Sequence, residues 1–284
     1  MILITGCNGF IGRDLVNQLL LLNIDFIGVD RSVTCVNNKF FCVNLLKKNV
    51  LSNFIKKNLK VIVHIAAVLP SHKIDAKTAK EKNEIIDKNV FDFCAQHKIR
   101  LIYISGASIY SLDENKFIKE ESLFSSTGNP YILGKMNSEI LLKKMGLESI
   151  ILRVNAPYGP NQNTNTVLNI FINRALQNLP LELHNDGSRI QDFIFINDIS
   201  NAILKAIDYD QTDDFIIASG KTISMINLAK KIIKLSASKS EIYFKKHDEK
   251  ITYPFFDISK AKNELKWTPK VDIKMGLIKT IFSN

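Results

Sequence analysis

Tyr131 and Lys135 stand in the segment Pro130-Tyr131-Ile132-Leu133-Gly134-Lys135. On a helix, side chains at i and i+4 share a face, so the phenol and the ammonium would point the same way. A phenol in water titrates near about 10, too high for proton exchange at neutral pH. A neighbouring ammonium favours the phenolate and brings that exchange within reach. Such a pair suits proton transfer at an alcohol oxygen while hydride moves at the adjoining carbon.

The chain opens Met1-Ile2-Leu3-Ile4-Thr5-Gly6-Cys7-Asn8-Gly9-Phe10-Ile11-Gly12. An apolar run precedes the three glycines, and a helical pattern with Leu15, Val16, Leu19 and Leu20 follows them. That order of strand, bare turn and helix start lets a pyrophosphate approach free backbone N–H groups. A second strand, 24–29, ends at Asp30. A carboxylate there accepts bonds from both ribose hydroxyls of an adenosine and repels a 2′-phosphate, which favours NAD over NADP. Arg31 beside it keeps NADP open, since a guanidinium pairs with phosphate; the plainer reading makes it a solvated loop residue.

The elements that must position these groups follow an alternating rhythm. Strands are expected at 61–65, 100–105 and 149–154, and helices at 83–97 and 130–145. Alternation of this kind gives a parallel sheet covered on both faces, an α/β fold. The stretch 155–165 is rich in Pro, Gly and Asn and reads as a loop into a smaller region. The 284 residues, 46% of them apolar, are enough for one large core with a small companion.

The net charge of +10 comes mainly from scattered lysines, without a long basic run. It suits a lysine-rich solvated surface and an anionic substrate better than nucleic acid. The first strand begins at the start of the sequence and no apolar run reaches membrane-spanning length, so a cytoplasmic protein with no membrane partner is expected. Cys7, Cys35, Cys42 and Cys94 form no Cys-x-x-Cys pair and no metal spacing, and are expected to be reduced, with no bound metal.

On these residues the chain resembles the extended short-chain dehydrogenase/reductase family, in particular its NAD-dependent epimerase/dehydratase branch, which acts on nucleotide sugars. The likeness runs from the glycine turn and Asp30 through His64-Ile65-Ala66-Ala67, Asn89, Ser105 to Tyr110, and Tyr131 with Lys135. It continues through Leu152-Arg153, Pro157-Tyr158-Gly159-Pro160, the segment 187–198, and Asn263-Glu264-Leu265-Lys266-Trp267.

The resemblance implies a Rossmann-like doubly wound parallel sheet with a small discontinuous C-terminal substrate-binding domain. Residues 1–154 would form the dinucleotide domain, with the chain returning to it around 190–218, and 155–189 with 219–284 would bind substrate. Gly6, Asn8, Gly9, Phe10, Ile11, Gly12, Asp30, Arg31, Ala66, Ala67, Asn89, Tyr131 and Lys135 would contact NAD. Asn155 and Arg189 would contact a nucleoside-diphosphate sugar, Arg189 through its diphosphate unless it pairs with Asp186 or Asp192. The resemblance also implies a homodimer formed by the helices carrying Asn89 and Tyr131. Two reactions fit: epimerisation, or reduction of a 4-keto sugar, each moving hydride at sugar C4.

Departures from the family pattern matter. A hydroxyl residue is usual at the position of Gly106, so Ser108, Ser105 or a water is expected to replace it. The segment bends there, and Ser105 on a plain strand would face away. Ala107-Ser108 stands where dehydratases carry Asp-Glu, which disfavours dehydration. Gln191 stands where an arginine is common, and the asparagine expected one residue later falls at Asn155. His64 reads as a core histidine and Trp267 as packing. A cofactor-sensing protein without catalysis is the other reading: Gly106 favours it, and the intact Tyr131 and Lys135 oppose it.

Overall fold

The computed structural model describes residues 1–32, 38–71, 73–111, 117–126, 128–247 and 254–283. Cys35 lies outside them. In strand β1 (Ile2–Thr5), Ile2 and Ile4 pack into one buried layer and Leu3 into the other. A strand with no wet face belongs at the centre of a parallel sheet. Helix α1 (Phe10–Leu21) follows the glycine turn, and β2 (Phe26–Asp30) starts later than its sequence pattern suggests. The short β3 (Phe40–Cys42) pairs with β2 at the edge of the sheet.

Next come β4 (Val61–His64), α2 (Ala76–His97) and β5 (Arg100–Gly106). Helix α2 begins well before its expected start. The Asp75 carboxylate accepts from the Thr78 N–H at 2.9 Å and caps it, and lysine-rich first turns hide the apolar period. After β6 (Phe117–Ile118), α3 (Pro130–Met145) has Pro130 in its first turn and the Asn129 side chain accepting from Tyr131 N–H. The cap fixes the turn that carries Tyr131.

The chain continues through β7 (Ser149–Val154), β8 (Pro157–Tyr158), α4 (Val167–Leu176), β9 (Leu181–His184), β10 (Ile190–Asp192) and β11 (Ile194–Phe195). Helix α5 (Ile196–Asp208) and strand β12 (Asp213–Ile217) then bring it back to the main sheet. The seven parallel strands lie in the order β12-β7-β5-β4-β1-β2-β3. The order reverses between β1 and β4, and a crevice opens beyond the carboxyl ends there.

The remaining chain forms β13 (Thr222–Ser224), α6 (Met225–Leu235), β14 (Ile242–Lys245), β15 (Phe255–Phe256), α7 (Ser259–Asn263) and α8 (Ile273–Ile281). Strand β10 pairs with β13, and β9 with β14, outside the main sheet. Trp267 is buried and donates to the Asp198 carbonyl at 2.9 Å, tying the C-terminal segment to α5. No helix among the described residues is long and apolar enough to cross a membrane. Cys7 and Cys94 are buried free thiols and Cys42 an exposed one.

Candidate active site

A cleft of about 830 Å³ runs over the carboxyl ends of the sheet. Gly6, Asn8, Gly9, Phe10 and Ile11 line one end. Gly6 has a φ of +70°, and a Cβ there would lie 2.8 Å from Ala66 Cα and N. Gly9 caps α1 without any side-chain bond, so the first N–H groups of the helix stay available. This bare cradle and uncapped helix start fit the pyrophosphate of a dinucleotide. Gly12 does not line the cleft. A Cβ there would meet Gly6 O at 2.1 Å, so its bareness lets α1 pack against the turn.

Asp30 lies at the same end. Its Oδ2 accepts from Asn8 N–H at 3.2 Å, and its Oδ1 accepts from Ser32 N–H at 3.0 Å and Ser32 Oγ at 2.8 Å. These bonds aim the carboxylate along the cleft wall that Arg31 also lines. Burial, then the charge of Asp30, pushes the Cys7 thiol up to about 12, so it stays protonated behind the turn.

Ala66 and Ala67 line the middle of the cleft. Their loop is held by Asn83, which donates to Val68 O at 2.9 Å and accepts from Val68 N–H at 2.7 Å. Asn89 corrects its assignment: it stands outside this cleft and donates to Leu45 O at 2.8 Å. The two asparagines lie on different turns of α2, and only Asn83 faces the loop.

Tyr131 and Lys135 line the cleft together. Tyr131 is half-buried and Lys135 is buried. Lys135 Nζ donates to the Ile104 carbonyl at 2.9 Å and to the Tyr103 hydroxyl at 3.2 Å. Tyr103 in turn donates to Asp87 at 2.7 Å, and Asp87 is also 2.9 Å from His64. Burial raises the Asp87 carboxyl, but the His64 bond and the Lys135 charge outweigh it, leaving the group below the usual carboxylate range. Burial and the facing Asp87 hold the Tyr103 phenol well above its ordinary value.

Ser105 is buried in the cleft wall, and its Oγ has no hydrogen-bond partner. Gly106 lines the cleft beside it. Ser108 is exposed and outside the lining, although its Oγ lies 3.3 Å from where a Gly106 Cβ would stand. The 3₁₀ turn Ala107–Ile109 reverses the expected facing of the two serines.

Helix α3 is held from behind by Arg153, fully buried on β7. Its guanidinium donates to both Glu139 carboxylate oxygens, to the Tyr110 hydroxyl and to Glu120 O, and it pairs with Asp214. At the far end of the cleft, exposed Arg189 donates to Gln191 Oε1 at 3.2 Å, and both line the wall. Asn155 is a second correction. Its amide donates to Asp192 O at 2.8 Å, and the residue lies behind the lining formed by Val154 and Ala156. Asn155 follows the end of β7, and its backbone N–H donates to Ile217 O at 3.0 Å.

Asp87, Tyr103 and Asn83 were not singled out from the sequence. A carboxylate between Ile86 and Val90, and a phenol inside an otherwise apolar strand, were the available signals. Among the described residues no cluster of His, Cys, Asp and Glu could hold a metal ion.

The family described as NAD dependent epimerase/dehydratase matches residues 2–218. A putative UDP-glucose 4-epimerase of Methanocaldococcus jannaschii is 28% identical, over 99% of this chain and 97% of the relative. A dTDP-4-dehydro-6-deoxyglucose reductase of Escherichia coli is 27% identical, over 99% and 96%. The solved UDP-glucose 4-epimerase of Thermotoga maritima, crystallised with UDP-glucose, superposes with a TM-score of 0.88 at 24% identity, covering 99% of this chain and 97% of that one.

Proposed function

This chain belongs to the NAD dependent epimerase/dehydratase family, and from that premise we propose that it moves hydride at C4 of a nucleoside-diphosphate sugar. The reaction is either epimerisation or reduction of a 4-keto sugar. The observation that carries the reading is the meeting of the bare glycine turn, Asp30, Tyr131 and Lys135 on one cleft. The similar epimerase and reductase support the substrate class.

NAD, when bound, supplies the hydride acceptor or donor. The N–H groups at the start of α1 hold the pyrophosphate, and Asp30 takes the adenosine ribose. Tyr131 takes the proton from the sugar hydroxyl as hydride leaves carbon, and returns one when hydride comes back. Lys135, held by Ile104 O and Tyr103 one helical turn from Tyr131, bonds the nicotinamide ribose. Ser105 offers its unpaired hydroxyl in place of the side chain that Gly106 lacks. Arg189 takes the sugar diphosphate. The exposed Ile85 on α2 and Ile140 on α3 support a homodimer through these helices; light scattering at two concentrations tests it.

The function is tested with a panel of UDP- and dTDP-hexoses and their 4-keto forms. Product epimers, or consumption of NADH with a keto sugar, identify the reaction. Replacing Tyr131 by Phe should slow either one by a factor of about 10² to 10⁴. Tight NAD binding without turnover of any sugar, and without an effect of Tyr131→Phe, would sink the enzymatic reading in favour of a cofactor sensor.

A further inference from the structure

The buried bonds behind Lys135 have only one allowed direction. Thr5 Oγ1 lies 3.2 Å from Ile65 N and 3.3 Å from Ala66 N. Both N–H groups can only donate, so they fill the acceptor positions of the hydroxyl. Its single proton is left for His64 Nδ1, 2.6 Å away. That nitrogen must accept, so the His64 ring proton sits on Nε2 and is donated to Asp87 Oδ1 at 2.9 Å. Lys135 Nζ also can only donate, and its contact with the Tyr103 oxygen is 3.2 Å. Tyr103 therefore accepts from Lys135 and donates to Asp87 Oδ2 at 2.7 Å.

Two arms thus converge on one carboxylate, which also accepts from the buried Ser138 hydroxyl. One runs from Thr5 through His64, the other from Lys135 through Tyr103. Asp87 is 2% exposed and Lys135 6%. A buried ammonium far from any anion tends to lose its proton or swing toward water. Glu139, on the same helix, is taken by Arg153. Asp87 is the carboxylate left to balance Lys135, through the phenol between them. With Ile104 O and Tyr103 each taking one N–H of the ammonium, one N–H remains for the cleft.

We propose that Asp87 and Tyr103 are positioning residues that hold the Lys135 ammonium in the cleft with one N–H free for the cofactor ribose. This rests on the role given to Lys135 above. Among the described residues the titratable groups around it are Tyr131 and Glu139 on α3, Tyr103 on β5, His64 on β4, and Asp87 with the Lys80–Glu84 pair on α2.

The test is a double-mutant cycle in NADH affinity, read by fluorescence titration of the full-length protein, which needs no sugar. Tyr103→Phe keeps the ring against Phe91 and His64 and removes only the hydroxyl. It should weaken NADH binding several-fold in the wild-type background and not further when Lys135 is already Met. Effects that simply add, or no effect at all, would overturn the proposal. Asp87→Asn should behave alike; if that variant does not fold, Tyr103→Phe decides alone.

Turnover gives the second readout. Tyr103→Phe should lower kcat roughly ten- to a hundredfold, the scale of a bond to a charged group, with the sugar KM within about twofold. The acid limb of its pH profile should move to higher pH, which a purely structural role would not produce. An unchanged profile beside a dead Tyr131→Phe would remove the positioning role and leave the acid–base reading standing. An active Tyr131→Phe beside a coupled NADH cycle would do the reverse.

Discussion

Two buried charged clusters flank α3, and they end differently. Around Arg153, the guanidinium is spent on Glu139, Tyr110, Glu120 O and Asp214. Around Asp87, the bonds run through Tyr103 to Lys135, which lines the cleft. The first cluster closes on itself, so its product is the placement of β7, α3 and β12. The second reaches the cleft at Lys135, and on the proposal above it leaves one N–H for the cofactor ribose. Burial and charge look alike in the two; the spare donor separates structural from chemical work.

The largest expected effect comes from the closed cluster. Arg153→Met leaves Glu139 buried without its cation, and breaking a buried pair from one side costs about 3–5 kcal/mol. Urea denaturation should register that loss, with activity falling only as the folded fraction falls. A midpoint near wild type would mean that the cluster does not hold α3.

Lys135→Met should give the opposite pattern. Its denaturation midpoint should fall less than that of Arg153→Met, because Asp87 keeps its bonds from His64 and Tyr103, while kcat drops about a hundredfold, at the low end for acid–base groups. A large loss of stability with little change in kcat would erase the contrast between the clusters.

Ser105 sharpens the contrast at single-atom scale. Its buried hydroxyl has no protein partner and lies in the cleft wall, whereas Ser108 is exposed outside it. Ser105→Ala should reduce kcat by roughly ten- to a hundredfold, by analogy with other oriented donors. Ser108→Ala should stay within about twofold of wild type. The reverse order would give the role to Ser108, whose Oγ approaches the open side of Gly106.

These differences follow how the two kinds of feature are written in the chain. The glycine turn, the strand before it and the helix after it are contiguous, so local pattern exposes them. Tyr131 and Lys135 are legible because one helical turn joins them. The Asp87 cluster draws Thr5, His64, Asp87, Tyr103 and Lys135 from separate elements. Only the sheet order brings them together, and no local period records it. The same limit misplaced Asn89 and Asn155. Each asparagine is near the right loop in sequence, but its amide is spent on a carbonyl of a segment distant in sequence.

The smallest expected effect compares two buried aspartates with opposite shifts. Asp87 sits below the carboxylate range because, against burial, it accepts the His64 hydrogen bond and faces the Lys135 charge. Asp192 sits above it because burial outweighs bonds from Ser219, Gly220 and Lys221, all of them neutral donors. The stability Asp87 contributes is therefore complete above its unfolded pKa of about 3.9 and drains as pH falls through its lower native value. The Asp192 charge is a burden present in full above its raised native pKa and absent below about 3.9. Urea midpoints between roughly pH 3 and pH 7 should separate the two variants. The deficit of Asp87→Asn should shrink on acidification, while wild type should gain on Asp192→Asn over the same interval. Parallel curves for both would mean that neither cation nor proton donor distinguishes these carboxylates, and the open cluster would lose its electrostatic anchor.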